Sequence, residues 1–453
     1  MGRITLEQAA AWCGGTIDSK YKDITFLGAN NDSRKIEKDQ LFVALQGERD
    51  GHDFIPAALE KGAAAVLCTH CDGDFPAIVV EDTRIALGQI ACGEREKIGM
   101  KVVGVTGSVG KSTTKEMIAA ILESKYRVAK TPANHNNDIG MPMAILSMPE
   151  DTQVAVLEMG MNHFREIAYL TAIGKPDVAV IVNIGTMHIE HLGSMEGILR
   201  AKLEIVEGMP ADGKLILNGD DSLLWNQRTA LERETVYFGA RNADSNVWAT
   251  GVCQMEKSLC FTVNTDSEKM DITLALEGEH YVLDALAAIA VGKELGISPD
   301  KIAQSLAGFR NMQGRQEIYE MNGFNIIQDC YNAGPESMNA ALTVLGKRTG
   351  RRVAVLGDML ELGVCSDAEH YKIGRVAAKN ADILLSYGPS CKRMLYGAIT
   401  GGMSQNNARA FTDKDMLTQA LLQMAKPGDT ILFKGSRGMR MEQVLEKFLE
   451  ATK

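Results

Sequence analysis

A glycine-rich loop between an apolar strand and a helix constrains the fold of this 453-residue chain more than any other feature of its sequence. The valine-rich residues 101–105 predict a strand, and residues 114–124 predict a helix. Glycines in such a loop let backbone amides face phosphate oxygens, and the helix N-terminus adds a partial positive charge. The order of strand, loop and helix therefore predicts a P-loop, formed by Thr106, Gly107, Ser108, Val109, Gly110, Lys111, Ser112 and Thr113.

Two side chains of this loop carry the predicted nucleotide chemistry. Lys111 is expected to contact the β- and γ-phosphates of ATP, and Ser112 is expected to ligate Mg²⁺. The general P-loop pattern has a glycine at the position of Val105, and here the upstream glycine stands at Gly107 instead. A tight turn that binds no nucleotide is the alternative, but the elements on both sides of the loop favour nucleotide binding.

The pattern of strands and helices predicts an α/β fold of three domains. From Lys101 onward, short apolar strands alternate with amphipathic helices, which predicts a mostly parallel sheet with crossover helices. A second series of this kind follows Arg315. We expect a smaller αβ domain at residues 1–98, ending in the charged segment 93–97, a central P-loop domain at 99–312 with a β-rich appendage at 235–275, and a Rossmann-like domain at 313–453.

Composition narrows the possible classes of function. The formal net charge of −10 argues against a general nucleic-acid binder, because clustered Lys and Arg supply the affinity for a phosphate backbone. The apolar stretches are far shorter than the roughly 18 residues that cross a bilayer, and the opening residues 1–7 show no export signal. Nine cysteines without regular spacing are typical of reduced thiols. We therefore expect a cytoplasmic protein that is not inserted in a membrane.

The segment Cys68-Thr69-His70-Cys71 has the composition of a zinc-binding motif. A zinc site needs a further pair of ligands at matching spacing, and none follows in the sequence. We interpret the segment as a loop after a buried strand.

Two polar residues follow apolar strands downstream of the P-loop. Glu158 ends the strand predicted at 154–157, and His188 follows the strand predicted at 178–184. Because ligands gather beyond the carboxyl ends of parallel strands, we expect both side chains on the same rim of the sheet as Ser112. A glutamate at a strand end is on its own more often solvated or a helix cap, but beside a P-loop this set predicts a divalent-cation site.

Lys202 lies on the apolar face of a helix predicted at 194–209. Burial lowers the pKa of an ammonium group, and a neutral amine can attack carbon dioxide to form a carbamate that would face Mg²⁺. Alternatively, the side chain extends its amine to water or pairs with a buried acid, and the residue pattern alone favours this second interpretation. The apolar face is marked by Met195, Ile198, Leu199, Ile205, Val206 and Met209.

Several separated segments together resemble the Mur ligases, ATP-dependent amide-forming enzymes of peptidoglycan assembly, over essentially the whole chain. The P-loop is similar to that of the family, which also lacks the upstream glycine. The family's carbamylated lysine is matched by Lys202, so the resemblance favours the carbamate. The other matching segments are 32–34, 47–54, 134–142, 158–163, 200–205, 329–338, 356–363 and 434–437.

The resemblance implies a ligase that joins D-alanyl-D-alanine to a UDP-N-acetylmuramoyl-tripeptide through an acyl phosphate, because segment 329–338 is close to the one diagnostic of that activity. ATP and Mg²⁺ are the implied cofactors, the two peptides are the implied partners, and we expect a monomer. The implied roles are catalytic for Lys111, His188, Lys202 and Arg315; nucleotide contact for the P-loop, Arg315 and Asp329; metal ligation for Ser112, Glu158, His188 and Lys202; and substrate contact for Ser33, Arg34, Asn136 and Asn137.

The chain departs from the family pattern at a few positions. The family segment Gly-x-His-Asn-x-x-Asn is residues 278–284 here, with Tyr281 and Asp284 in place of the two asparagines, which leaves the adenine contacts open. Gly334 replaces a usual Asn, and Gln328 replaces a usual Asp. The rival functions are the relative that adds the third stem residue, the folyl-polyglutamate ligase and a regulatory P-loop ATPase. Lysine and diaminopimelate are both candidates for the third stem residue.

Overall fold

Three large sheets, each with its own helices, organise the chain. The structure is a computed structural model that describes residues 3–266 and 268–453. Met1 and Gly2, from the opening segment, and Ser267, from the predicted β-rich stretch, lie outside the described residues. The three sheets have four, nine and six strands, and we call the parts of the chain built on them the N-terminal, central and C-terminal units. The predicted three-domain α/β architecture is confirmed.

The N-terminal unit contains a parallel sheet in the order β3-β4-β5-β6 and a two-stranded antiparallel pair, β1 and β2. Its elements are β1 (Ile4–Thr5), α1 (Leu6–Cys13), β2 (Thr25–Phe26), β3 (Ala29–Asn30), β4 (Leu41–Val43), α2 (Ile55–Glu60), β5 (Ala65–Cys68), β6 (Ala77–Val79) and α3 (Thr83–Ile98). The charged segment 93–97 lies inside α3 and is not a linker, since Glu, Arg and Lys are good helix formers. The helix ends at Gly99, whose left-handed conformation (φ 71°) closes it.

The central unit contains a nine-stranded sheet in the order β15-β14-β13-β12-β11-β10-β7-β9-β8. Strands β8 to β13 pair in parallel, whereas β13, β14 and β15 pair antiparallel, so the predicted appendage continues the sheet at its edge. Its elements are β7 (Lys101–Thr106), α4 (Lys111–Leu122), β8 (Val128–Lys130), α5 (Gly140–Leu146), β9 (Val154–Glu158), α6 (Glu166–Gly174), β10 (Val178–Ile181), α7 (Ile189–Leu192), α8 (Met195–Leu203), β11 (Lys214–Asn218), α9 (Ser222–Trp225), β12 (Thr235–Gly239), β13 (Val247–Gln254), β14 (Leu259–Thr265), β15 (Lys269–Leu274), α10 (His280–Glu294) and α11 (Pro299–Ala307).

Strand β9 shows how this sheet is buried on both faces. All five of its residues are buried. Ala155 and Leu157 belong to an apolar cluster that is continuous with the core of the N-terminal unit. Val154 and Val156 belong to the cluster on the other face, with residues of α4, α10 and α11. Burial on both faces explains why the strand reads as a continuous apolar run.

The C-terminal unit is a second αβ layer structure with the strand order β16-β17-β21-β18-β19-β20. Only β16 and β17 pair antiparallel, and apolar clusters cover both faces of the sheet. Its elements are β16 (Glu317–Met321), β17 (Phe324–Asp329), α12 (Pro335–Gly346), β18 (Arg352–Gly357), α13 (Ser366–Asn380), β19 (Ile383–Tyr387), α14 (Cys391–Thr400), β20 (Ala408–Phe411), α15 (Lys414–Met424), β21 (Thr430–Lys434) and α16 (Glu442–Ala451).

The segment from Cys68 to Cys71 is a loop after a buried strand, as predicted. Cys68 is the last residue of β5, and His70 in the loop stacks on His52 with ring centroids 4.2 Å apart. None of the nine cysteines, all within the described residues, forms a disulfide. Among residues 3–266 and 268–453, no helix combines the length and apolarity that a membrane crossing requires.

Candidate active site

A cavity of about 510 Å³ lies between the central and C-terminal units. Residues at the carboxyl ends of parallel strands from both sheets line it, which is the usual place for a ligand in an α/β fold. Its lining includes the P-loop residues 108–113, Glu158 at the end of β9, Asp329 at the end of β17 and Lys434 at the end of β21. Two sheets therefore contribute to one site.

The P-loop turns directly into α4, which begins at Lys111, three residues before the predicted start. Gly110 has φ 85°, and a Cβ there would lie 2.5 Å from Asp284 Oδ1, so only glycine fits. The backbone N–H groups of Ser108 and Val109 donate to Asn183 Oδ1 at 3.1 and 3.0 Å. This contact explains why β10 ends at Ile181, before the predicted residue 184: the following residues turn to hold the P-loop.

Lys111 bridges the P-loop with its own side chain. Its ammonium donates to the carbonyl oxygens of Gly107 (2.8 Å) and Ser108 (3.3 Å). Burial lowers the pKa of Lys111, and the neighbouring Glu158 carboxylate opposes that shift. The ammonium is thus held over the loop at the position where phosphate groups would contact it. The two threonines of the loop are buried: Thr106 ends β7 and Thr113 lies in the first turn of α4.

Glu158 is a buried carboxylate in which one oxygen accepts a hydrogen bond and the other accepts none from the described residues. Asn136 Nδ2 donates to Oε1 at 2.9 Å, and Oε2 has no hydrogen-bond partner among the described residues. The ammonium of Lys115, itself fully buried, lies 3.7 Å from Oε2 and donates to the carbonyl of Thr131 at 2.7 Å. A buried carboxylate oxygen that lacks a donor fits a divalent cation.

Two of the other predicted metal ligands, Ser112 and His188, lie at the same cavity as Glu158, whereas Lys202 is not among the residues that line it. His188 and Ser112 line the cavity, but the Ser112 hydroxyl accepts a hydrogen bond from Arg315. His188 Nδ1 is buried and lies 2.6 Å from Glu361 Oε2 of the C-terminal unit, without the alignment of a hydrogen bond. That contact holds the pKa of Glu361 below its usual range. The residues present therefore fit Mg²⁺, a hard cation that prefers oxygen ligands, with one imidazole added.

Lys202 is buried with 1% of its surface exposed. It lies in α8, which ends at Leu203 and continues as a 3₁₀ turn (Glu204–Gly208) where a single helix was predicted. Burial, and secondarily the charge of Lys111, lower the pKa of Lys202 well below its usual range. No hydrogen bond or ion pair to its ammonium is found among the described residues. The alternative that Lys202 pairs with a buried acid or reaches water is thus not seen.

The C-terminal unit reaches into the P-loop through one side chain. Arg315 Nη2 donates to Ser112 Oγ at 2.9 Å, across 203 residues of sequence, and its guanidinium lies 4.1 Å from the ring centroid of Tyr331. Asp329 accepts a hydrogen bond from Lys434 at 2.6 Å. The structure therefore places the predicted nucleotide contacts Arg315 and Asp329 in the part of the cavity lining that the C-terminal unit supplies.

The four predicted substrate contacts divide into two groups. Asn136 and Asn137 line the cavity, and Asn137 Oδ1 accepts from the backbone N–H of Gly140 at 2.8 Å. Ser33 and Arg34 belong to the N-terminal unit and do not line it. Arg34 is highly exposed, and its hydrogen bond to Asp32 lowers the pKa of that carboxyl to about 2.

Four residues in or near the cavity were not among the predicted site residues, although Asp284 was noted in the sequence as a departure from the family pattern. Asp284 accepts a hydrogen bond from Thr114 at 3.1 Å, and burial raises the pKa of Asp284 to about 7. Glu336 accepts from the backbone N–H of Thr186 at 2.9 Å, which ties α12 to the central unit. Lys115 and Lys434 are buried lysines. Two signals point to them: Lys115 is one helical turn after Lys111, and Lys434 ends an apolar strand as Glu158 does.

The P-loop, the buried carboxylate beside it and the arginine from a second αβ unit define a nucleotide-dependent P-loop enzyme with a shared site. Three family models match the chain: "Mur ligase family, catalytic domain" at residues 23–95, "Mur ligase middle domain" at 105–292 and "Mur ligase, glutamate ligase domain" at 314–437. The chain belongs to the Mur ligase family.

Within the family, the chain is similar to proteins of one named activity. It is 40% identical to the UDP-N-acetylmuramoyl-tripeptide--D-alanyl-D-alanine ligase of Bacillus subtilis, over 99% of this chain and 98% of the relative. A crystal structure of MurF from Acinetobacter baumannii superposes with a TM-score of 0.91 at 33% identity, covering 99% of each chain. The MurF ligase from Thermotoga maritima in complex with ADP has a TM-score of 0.83 at 30% identity, covering 94% of this chain and 98% of that one.

Proposed function

We propose that this chain joins D-alanyl-D-alanine to a UDP-N-acetylmuramoyl-tripeptide at the expense of ATP, in the cytoplasm, as a step of peptidoglycan precursor synthesis. The observation that carries the proposal is the contact of Arg315 with Ser112, because it brings two domains to one phosphate loop. The name of the 40% identical relative supplies the substrates, and the ADP complex of the Thermotoga protein supports nucleotide in the cavity.

The reaction needs activation because a carboxylate is a poor acylating agent. A carboxylate oxygen of the tripeptide attacks the γ-phosphorus of ATP, the bond to the β-phosphate oxygen breaks, and an acyl phosphate and ADP result. The amine of D-alanyl-D-alanine then attacks the acyl carbon, inorganic phosphate leaves, and the amine loses a proton. Lys111 and Arg315, which come from the central and C-terminal units, are proposed to neutralise charge on the transferring phosphoryl group; their contacts with the P-loop support these roles.

Four residues are proposed to hold Mg²⁺: Ser112, Glu158, His188 and Lys202. Oε2 of Glu158 supports this set, since it is buried, accepts no hydrogen bond from the described residues and has only the Lys115 ammonium, 3.7 Å away, to compensate its charge. When bound, Mg²⁺ would screen the repulsion between the substrate carboxylate and the phosphates. Asn136 orients Glu158 by its 2.9 Å hydrogen bond, a role it would keep beside contact with the peptide stem.

Lys202 is proposed to act as a carbamate. Its burial and lowered pKa favour the neutral amine, whose nitrogen attacks carbon dioxide, forms an N–C bond and releases a proton. The product is an anion able to face a cation, and it replaces a buried amine that lacks a partner among the described residues. His188 would ligate through the ring nitrogen that does not face Glu361.

The proposed substrate-binding residues lie in two places, the N-terminal unit and the cavity, and we propose a different role for each group. Ser33 and Arg34 are proposed to bind the uridine diphosphate end, and Asn136 and Asn137 the peptide stem. Asp329 is proposed to accept hydrogen bonds from the ribose of ATP, with Lys434 as its counter-ion. We further propose domain boundaries at 98/99 and 312/313 and a monomer as the working form.

A coupled assay of phosphate release tests the function. We expect phosphate release to require ATP, D-alanyl-D-alanine and the UDP-tripeptide together. The product should have the summed mass of the dipeptide and the UDP-tripeptide minus water. Release that needs neither peptide would support a regulatory ATPase and refute the ligase, whereas incorporation of a single amino acid onto the dipeptide precursor would identify the relative that adds the third residue. Parallel runs with lysine and diaminopimelate tripeptides identify the third stem residue.

A further inference from the structure

A rigid turn of the C-terminal unit, residues 358–363, carries a glutamate to the predicted metal site. The backbone N–H of Leu360 donates to Ser436 Oγ at 2.9 Å, and the carbonyl of Asp358 accepts from the backbone N–H of Ser436 at 3.1 Å. Gly363 is so close to α7 that a Cβ there would lie 3.0 Å from Glu190 Cβ. The turn is thus fixed to the end of β21 on one side and against the central unit on the other.

Glu361, in this turn, adopts a backbone conformation that few side chains accept. Its φ is 62°, and His188, which it faces, has φ 66°. Non-glycine residues in this region are strained, and they persist where the surrounding structure determines their conformation. Glu361 Oε2 lies 2.6 Å from His188 Nδ1, which is buried and has no other polar partner among the described residues.

A histidine that ligates a metal through one ring nitrogen usually donates the N–H of the other to a carboxylate, which fixes the tautomer and the orientation of the ring. We propose that Glu361 is the positioning residue for His188, so that docking of the C-terminal unit completes the divalent-cation site of the central unit. His188 Nδ1–H would donate to Glu361, which leaves Nε2 for the cation. The inference rests on the proposed metal role of His188.

The contact between Glu361 and His188 links cation binding to docking of the C-terminal unit. With the C-terminal unit docked, the cation site has an oriented imidazole. With that unit displaced, His188 loses its carboxylate and the site loses affinity. Metal affinity and docking are therefore coupled, and the coupling must be reciprocal because it is a free energy shared by two equilibria.

Binding of Mn²⁺ to the full chain with ADP, followed by electron paramagnetic resonance of the free ion, tests the proposal without turnover. His188→Ala is expected to weaken Mn²⁺ binding in the wild-type background. Glu361→Leu, which removes the acceptor, is expected to weaken it by about 10- to 100-fold. Glu361→Gln should weaken Mn²⁺ binding less, because an amide oxygen can accept the proposed Nδ1–H hydrogen bond in place of the carboxylate.

Two control variants distinguish a positioning role of Glu361 from a general effect on the structure. Glu190→Gln removes an exposed carboxylate on α7, two residues from His188, and should leave Mn²⁺ affinity unchanged. Lys347→Met breaks another ion pair between the units, with Glu279 at 2.8 Å, away from the metal site, and should have little effect. Thermal midpoints of all variants verify that each is folded.

The double variant of His188→Ala and Glu361→Leu decides the outcome. If Glu361 acts through His188, the double variant binds Mn²⁺ as weakly as His188→Ala alone. Wild-type affinity in Glu361→Leu, or a further full loss in the double variant, would overturn the positioning role and leave the metal site intact. Wild-type affinity in His188→Ala would overturn the proposed metal site and this inference with it.

Discussion

The two regions predicted to bind substrates differ in how far the protein has already ordered them. In the cleft between the central and C-terminal units, charged side chains are hydrogen-bonded to polar side chains from other segments: the buried Glu158 to Asn136, and Arg315 to Ser112. In the N-terminal unit, the exposed side chain of Arg34 pairs with the nearby Asp32. The cleft therefore has the preorganisation that stabilises a transition state, whereas the N-terminal residues can add only binding energy.

This difference predicts how variants divide between kcat and KM. Residues of the cleft are proposed to act on groups whose charge changes during phosphoryl transfer, so their loss should lower kcat. Residues of the N-terminal unit are proposed to contact a part of the substrate that does not react, so their loss should raise KM alone. The four predictions below run from the largest expected effect to the smallest.

Lys111→Met should lower kcat by at least about 10³-fold, since it removes a charge that the P-loop holds against the transferring phosphoryl group. Steady-state phosphate release measures the effect. Lys22→Met, at an exposed position of the N-terminal unit, is the matched control and should keep full activity. A Lys111 variant with kcat within tenfold of the wild type would remove the P-loop from the mechanism.

Lys202→Ala should lower kcat by about 10²- to 10³-fold, because the loss of one preorganised anion at a charged transition state costs that much. Acetate or another short-chain carboxylate should restore part of the activity by occupying the vacated space. Added bicarbonate should raise wild-type activity but not that of the alanine variant. Full activity without additive would contradict the carbamate.

Asp284 should make thermal stability depend on pH near neutrality. Its pKa rises from an ordinary value of 3.8 to about 7 in the folded chain, so the folded state holds the proton more tightly than the unfolded state. The stabilisation is fully present below about pH 4 and is lost as the pH rises through about 7, at up to about 1.4 kcal/mol per pH unit. The thermal midpoint of the wild type should therefore fall between pH 5 and pH 8 relative to that of Asp284→Asn.

A second variant sharpens this test of Asp284. The Thr114 hydroxyl favours the charged carboxylate, so Thr114→Val should move the pH-dependent loss to higher pH. Scanning fluorimetry of the wild type and both variants over this range gives the comparison. Parallel pH profiles for wild type and Asp284→Asn would show that Asp284 does not titrate there.

Arg34→Ala should have the smallest effect: KM for the UDP-tripeptide rises about tenfold, equivalent to ~1.4 kcal/mol of binding, with kcat unchanged. The thermal midpoint should not move, because an exposed ion pair contributes little to stability. A fall in kcat as large as the rise in KM would contradict the predicted difference between the cleft and the N-terminal unit.

The sequence predicted those strands, loops and strand ends that a local pattern of residues determines. The strand, glycine loop and helix around Lys111 and the strand end at Glu158 were found because apolar runs mark buried parallel strands and ligands gather at their carboxyl ends. Short strands at sheet edges, such as β8, β16 and β20, were missed because they are only partly buried and lack such runs. The family resemblance added Arg315, whose role has no local signature.

Contacts between distant segments lay beyond this reasoning. The approach of Arg315 to Ser112 spans 203 residues, and that of Glu336 to Thr186 spans 150. Neither has a spacing that a periodic pattern could reveal. Lys115 was overlooked for another reason: a lysine in an amphipathic helix is usually solvated, and only the packed structure shows it fully buried beside Glu158.

A crystal structure with a non-hydrolysable ATP analogue and Mg²⁺ tests the central claim most directly, since it locates the nucleotide and the cation together. The γ-phosphate is predicted within contact of Lys111 and Arg315, and a cation is predicted on Glu158 Oε2, with Ser112 Oγ turned from Arg315 toward Mg²⁺. A triphosphate bound outside the cleft between the central and C-terminal units, with Glu158 free of metal, would contradict the account.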